Sequence, residues 1–466
     1  MRSRVLILAS LVALAAIVLI VGVAVAGAGQ SDPLPGVSAP DLLAKMAQAK
    51  DVTAVSGDVA WHNGLFGDLG SVAAGGMAQL PAQSPLTSDG SGRVWVSDAG
   101  VKVESQGSGG DQVVVLNKAQ RTAWVYDYAN NNVKKIVMTG TAPAETASPA
   151  PSATFMTPAA ITLYLQQVAR FATVEVAGQT KVAGRDAYQL RMIPVATDTA
   201  LGYVQAAIDG QTMLPLQVEV YAKGATTPVM KFGFTSVGYG AIDPATFAFT
   251  PPAGAKVTTK TVNGDQLRAK MQKAQKAHAG QAAPTAAQKV QAMRQVQHAL
   301  LKRGQVAKLV PYKLAWARAY TARPYQWGYV LGKGGPLTAS GTPLMKALGA
   351  ATGIKLGAGM MGAPATTLRH GPSAAKMGPA SVLLYGQGFG TIALAQTQST
   401  PAMQKQLQQA QRASQILGST TVNGAKALEI GTPLGGVIVW QKGGTTLLAG
   451  GMVPMSDLEA FAGSVR

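Results

Sequence analysis

His62, His278, His298 and His370 are the only histidines in this 466-residue chain, and none has another within a helical turn, so no helix face offers two imidazoles to one metal ion. Cysteine is absent, which excludes disulfides, thiolate ligands, cysteine nucleophiles and lipidation through a cysteine. Gly357-Ala358-Gly359-Met360-Met361-Gly362 spells G-x-G-x-x-G, but no strand is predicted before it and no acidic residue follows at the ribose position, so it makes no nucleotide site. Gly328 and Gly332 stand too close together for a phosphate loop ending at Lys333, and Gly334 occupies the place of the metal-binding hydroxyl. No G-x-S-x-G elbow occurs, and the acidic residues of the first half are scattered without the pairing that acid–base chemistry uses. The chain reads as a non-enzyme without cofactor or metal, and what remains is recognition. Tyr312-Lys313-Leu314-Ala315-Trp316-Ala317-Arg318-Ala319-Tyr320 and Arg323-Pro324-Tyr325-Gln326-Trp327 interleave cations with aromatic rings. With Lys302, Arg303 and Lys308 just upstream, this makes Lys302, Arg303, Lys308, Lys313, Trp316, Arg318 and Arg323 candidates for an anionic surface, where each cation adds about 1 kcal/mol. Phosphates and bases of nucleic acid call for the same residue types, but the N-terminus argues for export and therefore against nucleic acid.

Arg2 and Arg4 precede 21 uncharged, mainly apolar residues, Val5 to Val25, about 31 Å long as a helix and enough to cross a bilayer. Basic residues before the run keep the N-terminus inside and place everything after Ala26 outside. Ala24, Val25, Ala26 and Gly27 also form a small-residue cleavage pattern, so residues 1–30 read as a signal peptide or as a permanent anchor. The chain is expected in the cell envelope, on the outer face of the cytoplasmic membrane or released from it.

Residues 38–50 are predicted as a helix, with Ser38 as cap, Asp41 three residues on, and Leu42, Leu43 and Met46 as its apolar stripe. Strand character with turn residues between follows at 52–61, 93–98, 101–105, 113–117, 121–128 and 133–138. An Ala/Pro/Ser/Thr-rich stretch, 139–154, leads to a helix start at Thr157-Pro158 with an apolar run to Phe171. Further strands are expected at 173–177, 187–193, 202–208, 216–221 and 229–237, so closely spaced that antiparallel pairing is the simplest topology.

Three motifs in this order carry a resemblance: Gly184-Arg185-Asp186-Ala187-Tyr188-Gln189-Leu190; Ile208-Asp209 with Leu214-Pro215-Leu216; and Phe247-Ala248-Phe249-Thr250-Pro251-Pro252-Ala253-Gly254-Ala255-Lys256-Val257. They resemble the closing strands of the LolA and RseB superfamily of bacterial lipoprotein carriers and envelope sensors, over residues 37–260. The resemblance implies an α+β fold in which an antiparallel, curved half-barrel sheet wraps around helices and holds acyl chains in an apolar cavity. Candidate liners of that cavity are Trp61, Trp95, Trp124, Tyr126, Leu163, Phe171, Phe232 and Phe234, while Phe247 and Phe249 are expected in the core.

The 40 Lys and Arg against 21 Asp and Glu are unevenly placed: residues 261–466 carry 22 basic and 4 acidic side chains, and no acid lies between Gln266 and Leu428. Helices are expected from Asp265 to His278 and over 284–303, stopping at Gly304. Residues 261–379 read as a basic helical insertion and linker, and 380–466 as a small C-terminal α+β domain with strands at 382–385, 391–396, 425–430, 437–440 and 445–450 and a helix at 456–465. Val382 to Gly390, Val422-Asn423-Gly424 and the terminal Asp457-Leu458-Glu459 resemble the smaller domain of two-domain relatives. The expected function is an extracytoplasmic carrier of lipid or lipoprotein acyl chains that touches an anionic membrane surface. The alternatives are an RseB-like regulator gripping the exported part of an anti-sigma factor, or a basic module for anionic envelope polymers.

Overall fold

A computed structural model of the chain describes residues 34–49, 52–65, 89–107, 110–140, 169, 171–265, 302–318, 320, 322–331, 380–412 and 418–466. The chain divides into two compact units, Met1–Val195 with Gly202–Gly280, and Ala196–Leu201 with Gln281–Arg466. Among the described residues no helix is long and apolar enough to cross a membrane, and the Val5–Val25 run lies outside them.

The first unit opens with helix α1 (Ala39–Gln48). The Ser38 hydroxyl accepts the Asp41 N–H at its start and donates to the Asp41 carboxylate, while Pro40 fits the first turn, where its missing N–H has no partner to lose. Leu42 is then driven into a cluster with Tyr188 and Ile208, with Leu34, Val37 and Met46 packed around it.

Twelve strands follow: β1 (Ala54–Asn63), β2 (Gly90–Ser97), β3 (Gly100–Gly107), β4 (Gln112–Asn117), β5 (Thr122–Asp127), β6 (Asn132–Thr139), β7 (Ala172–Val182), β8 (Arg185–Pro194), β9 (Leu201–Asp209), β10 (Pro215–Ala222), β11 (Met230–Phe234) and β12 (Lys256–Asn263). They form one sheet in the order β12-β6-β5-β4-β3-β2-β1-β11-β10-β9-β8-β7, open at both ends rather than closed into a barrel. Strands consecutive in sequence are neighbours from β1 to β6 and from β7 to β11, and β1 joins the two runs by pairing antiparallel with β11. Ala183 and Gly184, both at positive φ, make the tight β7–β8 turn. Strand β12 returns after a long connection to pair parallel with β6. Nearly every residue of β12 is exposed, so it has no apolar alternation and the sequence reading missed it.

The second unit holds helix α2 (Arg303–Leu309), β13 (Tyr325–Leu331), β14 (Ala380–Tyr385), β15 (Ile392–Gln398), α3 (Pro401–Arg412), β16 (Gly418–Val422), β17 (Ala425–Thr432), β18 (Gly435–Lys442), β19 (Thr445–Gly451) and α4 (Met455–Ser464). Its sheet runs β13-β14-β15-β19-β18-β17-β16, with antiparallel pairs throughout. Asn423 and Gly424, both at positive φ, turn β16 into β17. Trp440, Leu383, Ile392, Leu394 and Ile438 are buried together with Leu458 and Phe461 of α4. Two elements of this unit, α2 and β13, fall within the stretch that sequence reads as insertion and linker. Gly304 does not stop a helix: α2 begins at Arg303, where the Gln305 side chain accepts the Lys302 N–H, and runs on through Gly304. Of the helices expected before it, residues 266–301 lie outside the described residues.

Candidate functional site

Strand register decides which aromatic side chains of the first unit share a face. Trp61 on β1 stands opposite Gly90 on β2 and Phe232 on β11; Val59 stands opposite Gly92 and Phe234. The same parity runs through Val94, Val103, Val114 and Val125 on β2 to β5. These side chains form one buried cluster, with Val101, Phe232 and Phe234 against it. Trp61 and Phe232 are stacked, with centroids 6.4 Å apart and planes 21° from parallel. The glycines of β2 are what let the indole lie flat: a Cβ on Gly90 would come 2.4 Å from the Trp61 ring. Trp61 is 7% exposed, and its Nε1–H has no hydrogen-bond acceptor among the described residues. A buried donor left unmet costs about 1–3 kcal/mol, so this face carries an unanswered request for an acceptor oxygen.

The other face of the same strands has a different chemistry. Trp124, Tyr126, Val113, Val115 and Val133 bury Phe247, the last residue of a short 3-10 turn (Pro244–Phe247), with Trp95 and Phe249 alongside. The Phe249 ring lies 5.4 Å from Trp124 and 6.1 Å from Tyr126. Asn117 Nδ2 donates to the Phe247 carbonyl at 3.0 Å, and Gly100 leaves room for the Phe247 ring. Cations cover the aromatic surface that remains, with Lys102 and Arg93 over Trp95 and Lys135 over Trp124.

The eight residues that sequence reads as liners of one cavity therefore do not act together. Trp61, Phe232 and Phe234 share a face. Trp95, Trp124 and Tyr126 lie on the opposite one, because successive side chains of a strand alternate and no spacing of aromatic residues reveals that parity before pairing is known. Phe171 is 50% exposed just ahead of β7 and lines no buried face. Leu163 lies outside the described residues. What the sequence reading missed is the valine set that completes the Trp61 face; its signal is the alternation Val94/Val96 and Val101/Val103, which only register turns into a surface.

At the other end of the sheet, polar groups are bonded to one another. Arg191 donates to the Gln205 side chain, the Tyr221 hydroxyl donates to Glu219 at 3.0 Å, and Lys231 pairs with Glu219 at 3.2 Å. Asp209 pairs with Arg185 and accepts the Gln211 and Thr212 N–H groups and the Tyr239 hydroxyl. Burial alone would raise its pKa, but the Arg185 hydrogen bond and the two amides together outweigh burial and hold the carboxyl below its usual range. Burial pushes Tyr239 up to about 12. Shifts of this kind in the first unit run away from neutrality, which suits binding and fold maintenance rather than proton transfer.

In the second unit Lys302, Arg303, Lys308, Lys313 and Arg318 are exposed and Trp316 is half-buried. Arg323 departs from that group. It is 2% exposed, its guanidinium pairing with Asp198 at 2.9 Å and Asp457 at 2.7 Å and donating to the Gly390 and Asp198 carbonyls and the Tyr320 hydroxyl. The Ala196–Leu201 segment is held there too, through Thr199 and Ala200 bonds to the Met452 carbonyl. An arginine committed on every nitrogen cannot meet an external anion, so Arg323 is a structural residue.

No family model and no curated protein sequence matches the chain. Solved structures do. A Pseudomonas aeruginosa MucA/MucB complex matches with 14% identity and a TM-score of 0.33, over 92% of this chain and 98% of that one. MucB in complex with MucA(peri) matches with the same identity and score, over 91% and 96%. A LolA superfamily protein from Nitrosomonas europaea matches with 10% identity and a TM-score of 0.17, over 46% and 99%. The three motifs quoted from the sequence now have a physical reading. Arg185 of the first pairs with Asp209 of the second, Tyr188 donates its hydroxyl to the Pro35 carbonyl beside α1, and Phe247 of the third plugs the face behind Trp95.

Proposed function

We propose that the first unit is a non-enzymatic, extracytoplasmic holder of acyl chains, and that the Trp61 face of its sheet is the binding surface. The observation that carries this reading is the composition of that face: from β1 to β5 the register places Val, Gly, Ala, Leu and Trp61 there, with uncharged Asn63, Ser105 and Gln112 toward the strand ends, and no charged side chain until Asp127 and Lys134 at the far edge. Hydrocarbon is the natural guest of such a surface, at about 0.8 kcal/mol per methylene buried. The Trp61 Nε1–H, without an acceptor among the described residues, supplies a polar handle suited to the carbonyl oxygen of an acyl ester. Trp440 offers a matched control, since its Nε1 also lacks an acceptor among the described residues but its ring lies in the packed core of the second unit.

The test is lipid analysis by mass spectrometry of the purified full chain alongside its Trp61→Phe and Trp440→Phe variants. Co-purifying acyl lipid that falls several-fold in Trp61→Phe and persists in Trp440→Phe is the expected result. Absence of lipid from the parent, or equal loss in both variants, overturns the reading. A second reading, a regulator that grips an exported peptide of an anti-sigma factor, has one observation in its favour: β12 is exposed along its length and sits at an open edge of the sheet, where a peptide strand can add. Recovery of a membrane-anchored partner by a lipid-free chain would favour it.

A further inference from the structure

Two guanidinium groups lie over the Trp316 indole, Arg303 at 4.4 Å and Arg318 at 4.8 Å from the ring centroid. The arrangement is fixed by the fold rather than by the arginines. Val306 buries α2 and so sets Arg303, while Trp316 and Arg318 are pinned by backbone bonds to Arg466 and Ser464 and by the Ala317–Val465 bridge. Each cation–π contact is worth about 0.5–1 kcal/mol at an exposed site, which holds two like charges near one ring without neutralising either.

Among the described residues no carboxylate side chain of the second unit pairs with them. The second unit contains only four carboxylate side chains, Asp198, Glu429, Asp457 and Glu459. Asp198 and Asp457 are taken by Arg323. Glu429 is held above its usual pKa by burial first and by the adjacent Glu459 second, so this pair repels itself instead of serving a cation. We propose that Arg303, Trp316 and Arg318 form a docking point for the phosphate of an anionic phospholipid headgroup at a bilayer surface. Guanidinium forks match phosphate oxygens, and an indole is at home at the membrane interface. The site is an open stack rather than an enclosing cradle, with exposed Lys302, Lys308 and Lys313 on the same stretch of chain. That geometry suits an extended charged plane that many weak contacts engage together, and is poor at holding one free phosphate ion.

The experiment measures partitioning of the full chain into vesicles of phosphatidylcholine alone and of phosphatidylcholine with phosphatidylglycerol, the ratio removing whatever the apolar N-terminal run contributes to both. The variant is Arg303→Gln with Arg318→Gln; both side chains are exposed, and circular dichroism checks the fold. Lys405→Gln with Lys442→Gln, also exposed and in the same unit, removes equal charge elsewhere. The arginine pair should lower the preference for anionic vesicles roughly thirtyfold, ~1 kcal/mol for each cation withdrawn, and the lysine pair should leave it within about twofold. An equal fall in both variants, or a parent chain without preference, overturns the proposal. Competition by inorganic phosphate at concentrations that leave ionic strength unchanged would do so too, assigning the stack to a free anion.

Discussion

Arg185 and Asp209 lie in two separate sequence motifs, and neither looks special alone. An arginine after a turn glycine and an aspartate before a turn are ordinary residues, and only the pairing of β8 with β9 brings them together. Asp209 is fully buried, so Asn there leaves Oδ1 to accept the Gln211 and Thr212 amides but sets an NH2 donor against the half-buried Arg185 guanidinium and removes its counter-charge. Asp209→Asn should cost about 3–5 kcal/mol, as loss of one member of a buried pair does. The pH sign follows from its lowered pKa. The contribution is fully present above the unfolded carboxyl value of 3.8 and is lost as pH falls through the lower folded value. Urea unfolding across an acid series should show the parent losing stability in that window, with the variant flatter there; identical slopes would remove Asp209 from the account.

At the scale of elements, the strands of both sheets were legible wherever alternation met turn residues, as in β2 to β6, β8 to β10 and β17 to β19, and their ends moved by a few residues at most. The exposed edge strand β12 and the short β16 were not, because an exposed ladder held by backbone bonds leaves little hydrophobic pattern. The candidate site was legible in composition but not in facing, since one residue of register moves Trp95 or Trp124 to the other side of the sheet. Gly90 tests the facing directly. In Gly90→Ala the new methyl collides with the Trp61 ring and with the Gln106 carbonyl, so the indole must leave its flat position over β2. The expected result is a loss of about 1–3 kcal/mol, typical of overpacking, together with a shifted tryptophan emission that Gly90→Ala loses when combined with Trp61→Phe. An unchanged spectrum would place Trp61 elsewhere.

The whole molecule contains separate hydrophobic cores. The cluster around Trp440 and Phe461 draws only on residues beyond 305, whereas those around Trp61, Trp124, Leu216 and Leu42 draw only on residues before 256. Two compact units that each hold their own core residues melt as separate cooperative units, so calorimetry of the full chain should resolve two transitions. Charge marks one of them: with 18 basic and 4 acidic side chains, the second unit repels itself, and added salt should raise its transition while leaving the other nearly still. Ligand marks the other. An acyl ligand that binds only the folded first unit stabilises it by RT ln(1 + [L]/Kd), about 2.7 kcal/mol at a hundredfold excess over Kd. A lysophospholipid should therefore raise the transition that Asp209→Asn lowers and leave the salt-sensitive one in place, and Trp61→Phe should reduce that rise. A lysophospholipid effect on the salt-sensitive transition alone would move acyl binding to the basic unit and take it away from the Trp61 face.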